Sequence, residues 1–141
     1  MLQRADRPFL FVVVITALIL VSWIVTGGNL NTQTHMSPDE LNRLIRSGNP
    51  PTIVDVRSGY EFNQGHVRGA IHLPFWKALF LAGDLDAPKD KPVVVYCAHG
   101  PRAGIGKLAL SVAGFTQVLY LEGHMSGWLK AGLPVETPTA E

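Results

Sequence analysis

Between residues 37 and 136, short unbroken apolar runs alternate with stretches whose apolar positions recur at helical spacing. Thr52–Val56, Ala70–Leu73, Val93–Tyr96 and Val118–Leu121 read as strands. The first helix starts at Ser37-Pro38-Asp39-Glu40. Ser37 is a good N-cap, Pro38 suits the first helical position and Glu40 completes a capping box. Leu41, Leu44 and Ile45 supply its apolar face, and Gly48 with Pro50-Pro51 ends it. Ser58 to Asn63 forms one helical turn, and Pro74 opens a helix through about Leu81. Arg102 to Ala113 has helical spacing with Ile105, Leu108, Ala109 and Val112 inward and Gly114 just beyond. Ser126 to Ala131 is a short helix carrying Trp128 and Leu129, stopped by Gly132 and Pro134. Gly83 to Lys91 is a polar surface loop. The strand Val93–Tyr96 is apolar throughout, as expected when both its faces are buried. Alternating strands and helices predict an α/β fold: a central parallel sheet flanked by helices on both faces. In such folds the reactive crevice lies at the carboxyl ends of the strands, where Arg57, Cys97 and Glu122 fall.

The N-terminus follows a different pattern. Phe9 to Val25 is interrupted only by Thr16 and Ser22, and with Thr26 and Gly27-Gly28 the uncharged stretch approaches the ~20 residues that span a bilayer as helix. A buried helix of a soluble domain would show a polar face, and this stretch shows none. Arg4 and Arg7 precede it and no Lys or Arg follows until Arg43, which places the N-terminus in the cytoplasm. The expected organisation is a cytoplasmic segment 1–8, a single-pass anchor 9–26, a linker 27–36 and a domain 37–137. The domain then faces the periplasm or cell exterior from the inner or plasma membrane. A cleaved signal peptide is the alternative, with Val25-Thr26-Gly27 as the cleavage site. Against it, the apolar core exceeds the roughly 7–15 residues usual for such peptides, and Trp23 stands like an interfacial anchor.

Composition narrows the chemistry. The 141 residues carry 12 Lys and Arg against 11 Asp and Glu, and no basic stripe interleaves with aromatics, so nucleic acid is not an expected partner. No Cys/His cluster has metal spacing and no glycine-rich fingerprint signals a nucleotide, so neither metal nor cofactor is expected. Cys97 is the only cysteine, so it forms no internal disulfide.

Cys97 follows the apolar run Val93-Val94-Val95-Tyr96 and precedes Ala98-His99-Gly100-Pro101-Arg102, where helical spacing begins. The sulfur therefore lies at the end of a buried strand, under the first turn of a helix. Unpaired backbone N–H groups and the helix dipole favour an anion there. Up to five loop N–H groups can converge on the sulfur, counting that of Cys97, because Pro101 has none. Gly100 permits a turn that a side chain would resist. Arg102 offers a permanent cation with a planar fork suited to an oxyanion. His99 is placed to meet a donor, although an exposed loop histidine is its simpler role. Strand alternation sends Asp55 and Arg57 to one face as a structural ion pair, with Glu61 and His66 in the same supporting framework. His72 reads as a satisfied core or edge residue and Trp128 as core packing.

Three ordered blocks of residues between Pro51 and Glu136 resemble the rhodanese (sulfurtransferase) family. The first comprises Ile53-Val54-Asp55-Val56-Arg57, Tyr60-Glu61-Phe62, Gly65-His66-Val67 and Gly69-Ala70-Ile71-His72-Leu73-Pro74. The second is Val94-Val95-Tyr96-Cys97, Gly100 and Arg102-Ala103. The third is Leu121-Glu122-Gly123, Gly127-Trp128 and Ala131-Gly132-Leu133-Pro134-Val135. The resemblance implies a single-domain thiosulfate sulfurtransferase. Cys97 would be the nucleophile and would carry sulfur as a persulfide, with Ala98, His99, Gly100, Pro101 and Arg102 binding a small anionic donor such as thiosulfate. A thiol or cyanide would be the acceptor. Related phosphatases of this fold use a loop one residue longer; the four residues between Cys97 and Arg102 favour sulfur transfer. One departure stands out: the family usually has a second glycine after Gly123, where this chain has His124. If that position requires a positive φ, the histidine is strained but possible. Two further readings stay open. One is a sulfur-relay or redox-sensing partner with little activity on thiosulfate; the other is an inactive anchored binding module.

Overall fold

The computed structural model describes residues 14–16 and 34–138. Residues 14–16 are helical. Apart from them, the expected anchor 9–26, the cytoplasmic segment 1–8 and residues 27–33 of the linker lie outside the described residues. No helix among the described residues is long and apolar enough to cross a membrane.

The strands are β1 (His35–Met36), β2 (Thr52–Asp55), β3 (Ile71–His72), β4 (Pro92–Tyr96) and β5 (Gln117–Leu121). The helices are α1 (Pro38–Arg46), α2 (Gly59–Gln64), α3 (Phe75–Leu81), α4 (Pro101–Val112) and α5 (His124–Lys130). A 3-10 turn, Ala82–Asp84, follows α3. The sheet is parallel throughout, in the order β1-β5-β4-β2-β3. Period-two alternation divides its side chains between two cores. Ile53, Val94, Tyr96 and Leu121 point to one face, where Leu41 of α1 and Met125 and Trp128 of α5 cover them. Val54, Val93, Val95 and Val118 point to the other, under Ala78 of α3 and Ala103, Ala109 and Leu110 of α4. The helices therefore lie on both faces, as the alternating pattern predicts.

Two departures from expectation have physical causes. His35–Met36, assigned by sequence to the linker, is an edge strand. Its register sets His35 beside Tyr120 and Met36 beside Leu121, and Met36 is buried. A two-residue strand is made by its partner, not by its own pattern. The second departure is the inward face of α4. Ala109 is buried, but Ile105, Leu108 and Val112 are exposed. The buried stripe is Ala103, Gly106, Ala109 and Leu110. A Cβ at Gly106 would stand 2.7 Å from Val56 Cγ1, so the helix lies almost on the sheet and only small residues fit beneath most of it. The larger apolar side chains are turned outward.

α1 starts as predicted: Ser37 Oγ accepts the Glu40 N–H at 3.2 Å. α5 starts at His124, two residues before the predicted Ser126. Ser58 and Glu61 of α2 form a complete capping box.

Candidate active site

Cys97 lies one residue beyond β4, at the carboxyl edge of the sheet and three residues before the Gly100 N-cap of α4. It is 1% exposed. The chain turns at Gly100, whose φ of 137° is open only to glycine in practice. That turn brings the Gly100 N–H to 2.9 Å from Cys97 Sγ. Pro101 then enters the first turn of α4, where its missing N–H is harmless.

The loop hangs from the start of α5. Met125 N–H donates to the Cys97 carbonyl at 3.0 Å, and Ser126 N–H and Oγ donate to the Ala98 carbonyl at 3.3 and 3.1 Å. Ser126 Oγ also lies 2.8 Å from His99 Nδ1, and His99 itself is exposed. The Cys97 N–H points away from the sulfur and donates to His124 Nδ1 at 3.4 Å. One of the five loop N–H groups is thus withdrawn from the expected nest. Those of Ala98 and His99 have no intramolecular acceptor among the described residues.

His124 is the residue that sequence reasoning noticed without assigning. Its φ is 54°, the positive value under which a histidine is strained. Its Nδ1 must be unprotonated to accept from Cys97. Burial lowers its pKa, and the nearby His35 and His99 lower it further, so the neutral ring is favoured. The same ring fills the space beside Gly100, where an added Cβ would sit 3.4 Å from His124 Nε2.

Arg102 is partly exposed, and its fork is not empty. Nη1 and Nη2 donate to the two oxygens of Glu61 at 2.6 and 2.8 Å. Arg102 holds the Glu61 carboxyl down at about 2, against partial burial and with help from Ser58. Glu61 Oε2 also accepts from Ser58 N–H and Oγ at 3.0 and 2.7 Å. One carboxylate therefore caps α2 and clips it to the first turn of α4. Glu61 belongs to this clip and not to the Asp55–Arg57 pair, contrary to the sequence expectation of one shared framework.

That pair is buried. Arg57 Nη2 stands 2.6 Å from Asp55 Oδ2, and Nε donates to both carboxylate oxygens. Nη2 also donates to the Gly65 carbonyl at 2.8 Å, which ties the end of α2 to β2. Arg57 is thereby buried, with its guanidinium over the Tyr96 ring. The Tyr96 hydroxyl accepts the Val67 N–H at 3.1 Å, and burial pushes its pKa far above the ordinary phenol range. His66 Nδ1 lies 3.0 Å from the Phe62 carbonyl, and its ring stacks on Phe62. His66 also exchanges backbone hydrogen bonds with Glu136, closing the domain. His72 Nε2 lies 3.0 Å from the Arg57 carbonyl at the sheet edge. Trp128 is fully buried and Glu122 is exposed. Among the described residues, no group of three or more His, Cys, Asp or Glu is arranged to hold a metal ion.

A thiol at the end of a buried parallel strand, cradled at the start of a helix, marks out a class, and comparison with known proteins defines it. Residues 37–131 match the rhodanese-like domain, and the chain belongs to that family. The uncharacterized protein YibN of Escherichia coli is 32% identical over 121 residues, 84% of each chain. That match is longer than residues 34–141, so it takes in part of the N-terminal segment. The thiosulfate sulfurtransferase GlpE of Shewanella oneidensis is 34% identical over 97 residues, covering 69% of this chain and 93% of GlpE. Among solved structures, the Alr3790 protein of Anabaena superposes with a TM-score of 0.67 at 28% identity, covering 74% of this chain and 94% of that one.

Proposed function

We propose that the protein is a sulfurtransferase that carries sulfane sulfur on Cys97. The observation that carries this reading is the single cysteine under the first turn of α4, with the Gly100 N–H aimed at its sulfur from 2.9 Å. The Cys97 thiolate attacks the outer sulfur of thiosulfate. A new S–S bond forms, the S–S bond of thiosulfate breaks, and sulfite departs with the bonding electron pair. Cyanide or a thiol then attacks the outer sulfur of the persulfide, and the Cys97 thiolate is restored. The N–H groups of Ala98 and His99, without intramolecular acceptors, are available to the anionic outer sulfur. Arg102, held by Glu61, supplies positive charge at the helix start.

Residues 9–26 anchor the chain in the inner or plasma membrane in this reading. The N-terminus is cytoplasmic and the domain exported, on the strength of the apolar stretch and of Arg4 and Arg7 before it. An assay for thiocyanate formed from thiosulfate and cyanide tests the activity. Turnover that disappears in Cys97→Ser supports it; comparable turnover in the variant refutes it. A reporter fused after Glu141 tests the topology: activity only of an export-dependent reporter is expected, and cytoplasmic reporter activity refutes it.

A further inference from the structure

The His99 ring is tied down on one side and open on the other. His99 stands in the loop after Cys97, next to the Gly100 whose N–H donates to Sγ. Its Nδ1 lies 2.8 Å from Ser126 Oγ, and Ser126 Oγ lies 3.1 Å from the Ala98 carbonyl. A hydroxyl has a single proton to donate, and a carbonyl oxygen only accepts. The Ser126 proton therefore goes to Ala98, and Ser126 Oγ accepts from a proton on His99 Nδ1. The reverse assignment, with the hydroxyl donating to His99, would set bare oxygen lone pairs against the Ala98 carbonyl. Only the first arrangement makes both contacts hydrogen bonds. The neutral His99 ring then carries its proton on Nδ1 and an open lone pair on Nε2.

Nε2 has no partner among the described residues, and the ring is exposed. The other groups around the loop are engaged. His124 Nδ1 accepts the Cys97 N–H, so its neutral ring bears its proton on Nε2 and has no free lone pair. Both Glu61 oxygens accept from Arg102, and Oε2 accepts from Ser58 as well. Asp55 is buried against Arg57. His99 is also close enough to His124 to help lower its pKa, and the His124 ring lies beside both the Cys97 N–H and Gly100. An exposed, bare imidazole nitrogen on the sulfur loop itself is a proton acceptor for whatever arrives from solvent.

Transfer to a thiol needs such a group. A free thiol titrates near ~8.5, so at neutral pH it arrives mostly protonated and must lose its proton to attack. We propose that His99 Nε2 is the general base for a thiol acceptor, with Ser126 as the residue that positions it; the proposal rests on the sulfurtransferase reading above. The acceptor's S–H proton passes to Nε2 as its sulfur bonds to the outer sulfur of the Cys97 persulfide. The Sγ–S bond breaks, and its electron pair stays on Sγ as the thiolate. The acceptor leaves as a persulfide, and the His99 imidazolium returns the proton to water.

The test isolates the second half of the reaction. The full chain in detergent is loaded with thiosulfate, freed of donor and mixed at pH 7 with one of two acceptors. One is 2-mercaptoethanol, which is protonated at that pH; the other is 4-nitrothiophenol, which is already ionised. Intact mass of quenched samples follows loss of the added sulfur. His99→Asn keeps an amide N–H toward Ser126 and has no counterpart of Nε2. In this variant the ratio of the 2-mercaptoethanol rate constant to that of 4-nitrothiophenol should fall about a hundred-fold. Ser126→Ala keeps its backbone N–H bond to Ala98 and frees the ring, and the same ratio should fall about three- to ten-fold. An unchanged ratio in His99→Asn overturns the proposal, as do equal losses with both thiols, which would reflect access and not proton transfer. An unchanged ratio in Ser126→Ala overturns the positioning role. A His99→Asn chain that takes up sulfur and yields it with an unchanged ratio refutes the base and leaves the sulfurtransferase reading standing. Absence of sulfur uptake by the wild type refutes both.

Discussion

Replacing Glu61 with Gln separates the clip between α2 and α4 from every other ion pair in the domain. In the wild type, Glu61 accepts both terminal nitrogens of Arg102 and both donors of Ser58. Its carboxyl is held at about 2, compared with an ordinary value of 4.5. Taken at face value, that depression corresponds to about 3 kcal/mol of pH-dependent stability. The side chains of Glu61 and Arg102 are 29% and 30% exposed, so solvent screens the pair and about 1–1.5 kcal/mol is the realistic share. Because the folded value is depressed, this stability is fully present above about pH 4.5 and is lost as pH falls toward about 2. Glu61→Gln should therefore lower the melting temperature at pH 7 by about 4–10 °C for a domain of this size. The gap should narrow steadily below pH 4.5 and close near pH 2. Thermal unfolding of the full chain in detergent, followed by circular dichroism from pH 7 down to 2.5, reads both quantities. Equal melting temperatures at pH 7, or a gap that does not change with pH, would refute the reasoning.

Other substitutions probe the remaining contacts. Gly106→Ala would press a methyl group against Val56 Cγ1 at 2.7 Å and Val95 Cγ2 at 3.1 Å. The overpacking cost of about 1–3 kcal/mol exceeds the helix-propensity gain of about 1 kcal/mol, so the variant should melt lower, and adding Val56→Ala should recover part of the loss. His124 has its pKa lowered by burial and by His35 and His99, so its contribution is present above about pH 6.5 and is lost as pH falls through the depressed folded value. His124→Asn tolerates the positive φ and removes that titration. Its stability should therefore fall less than that of the wild type between pH 7 and 5 in urea unfolding; parallel curves would contradict the His124 assignment. Arg102→Ala removes a charged hydrogen-bonding partner worth roughly 1.5–3 kcal/mol, so kcat/KM for thiosulfate should drop about ten- to a hundred-fold. A drop in melting temperature without any loss of kcat/KM would confine Arg102 to the clip.

The parts that were legible in the sequence are those set by local pattern. Val93–Tyr96 reads as a doubly buried strand because every residue in it is apolar, and β4 is the centre of the sheet. Asp55 and Arg57 pair because alternation puts them on one face. The parts that were not legible depend on distant partners. β1 exists through β5, some 85 residues away along the chain, and a two-residue strand has no periodicity of its own. Glu61 reaches Arg102 across 41 residues and His124 reaches Cys97 across 27. A signal for each was present: Ser58-Gly59-Tyr60-Glu61 spells a capping box, and His124 stands where the resembled family has glycine. The inward face of α4 was misread because hydrophobic periodicity weights large side chains, whereas close helix–sheet contact selects Ala and Gly.

The central claim is that Cys97 accepts and holds a sulfur atom. Intact-mass spectrometry of the full chain after incubation with thiosulfate, followed by removal of free donor, tests it without an acceptor. The account predicts a mass gain of one sulfur on the wild type, none on Cys97→Ser, and loss of the added mass when cyanide is supplied, with thiocyanate released. An unchanged wild-type mass, or the same gain on Cys97→Ser, would contradict it.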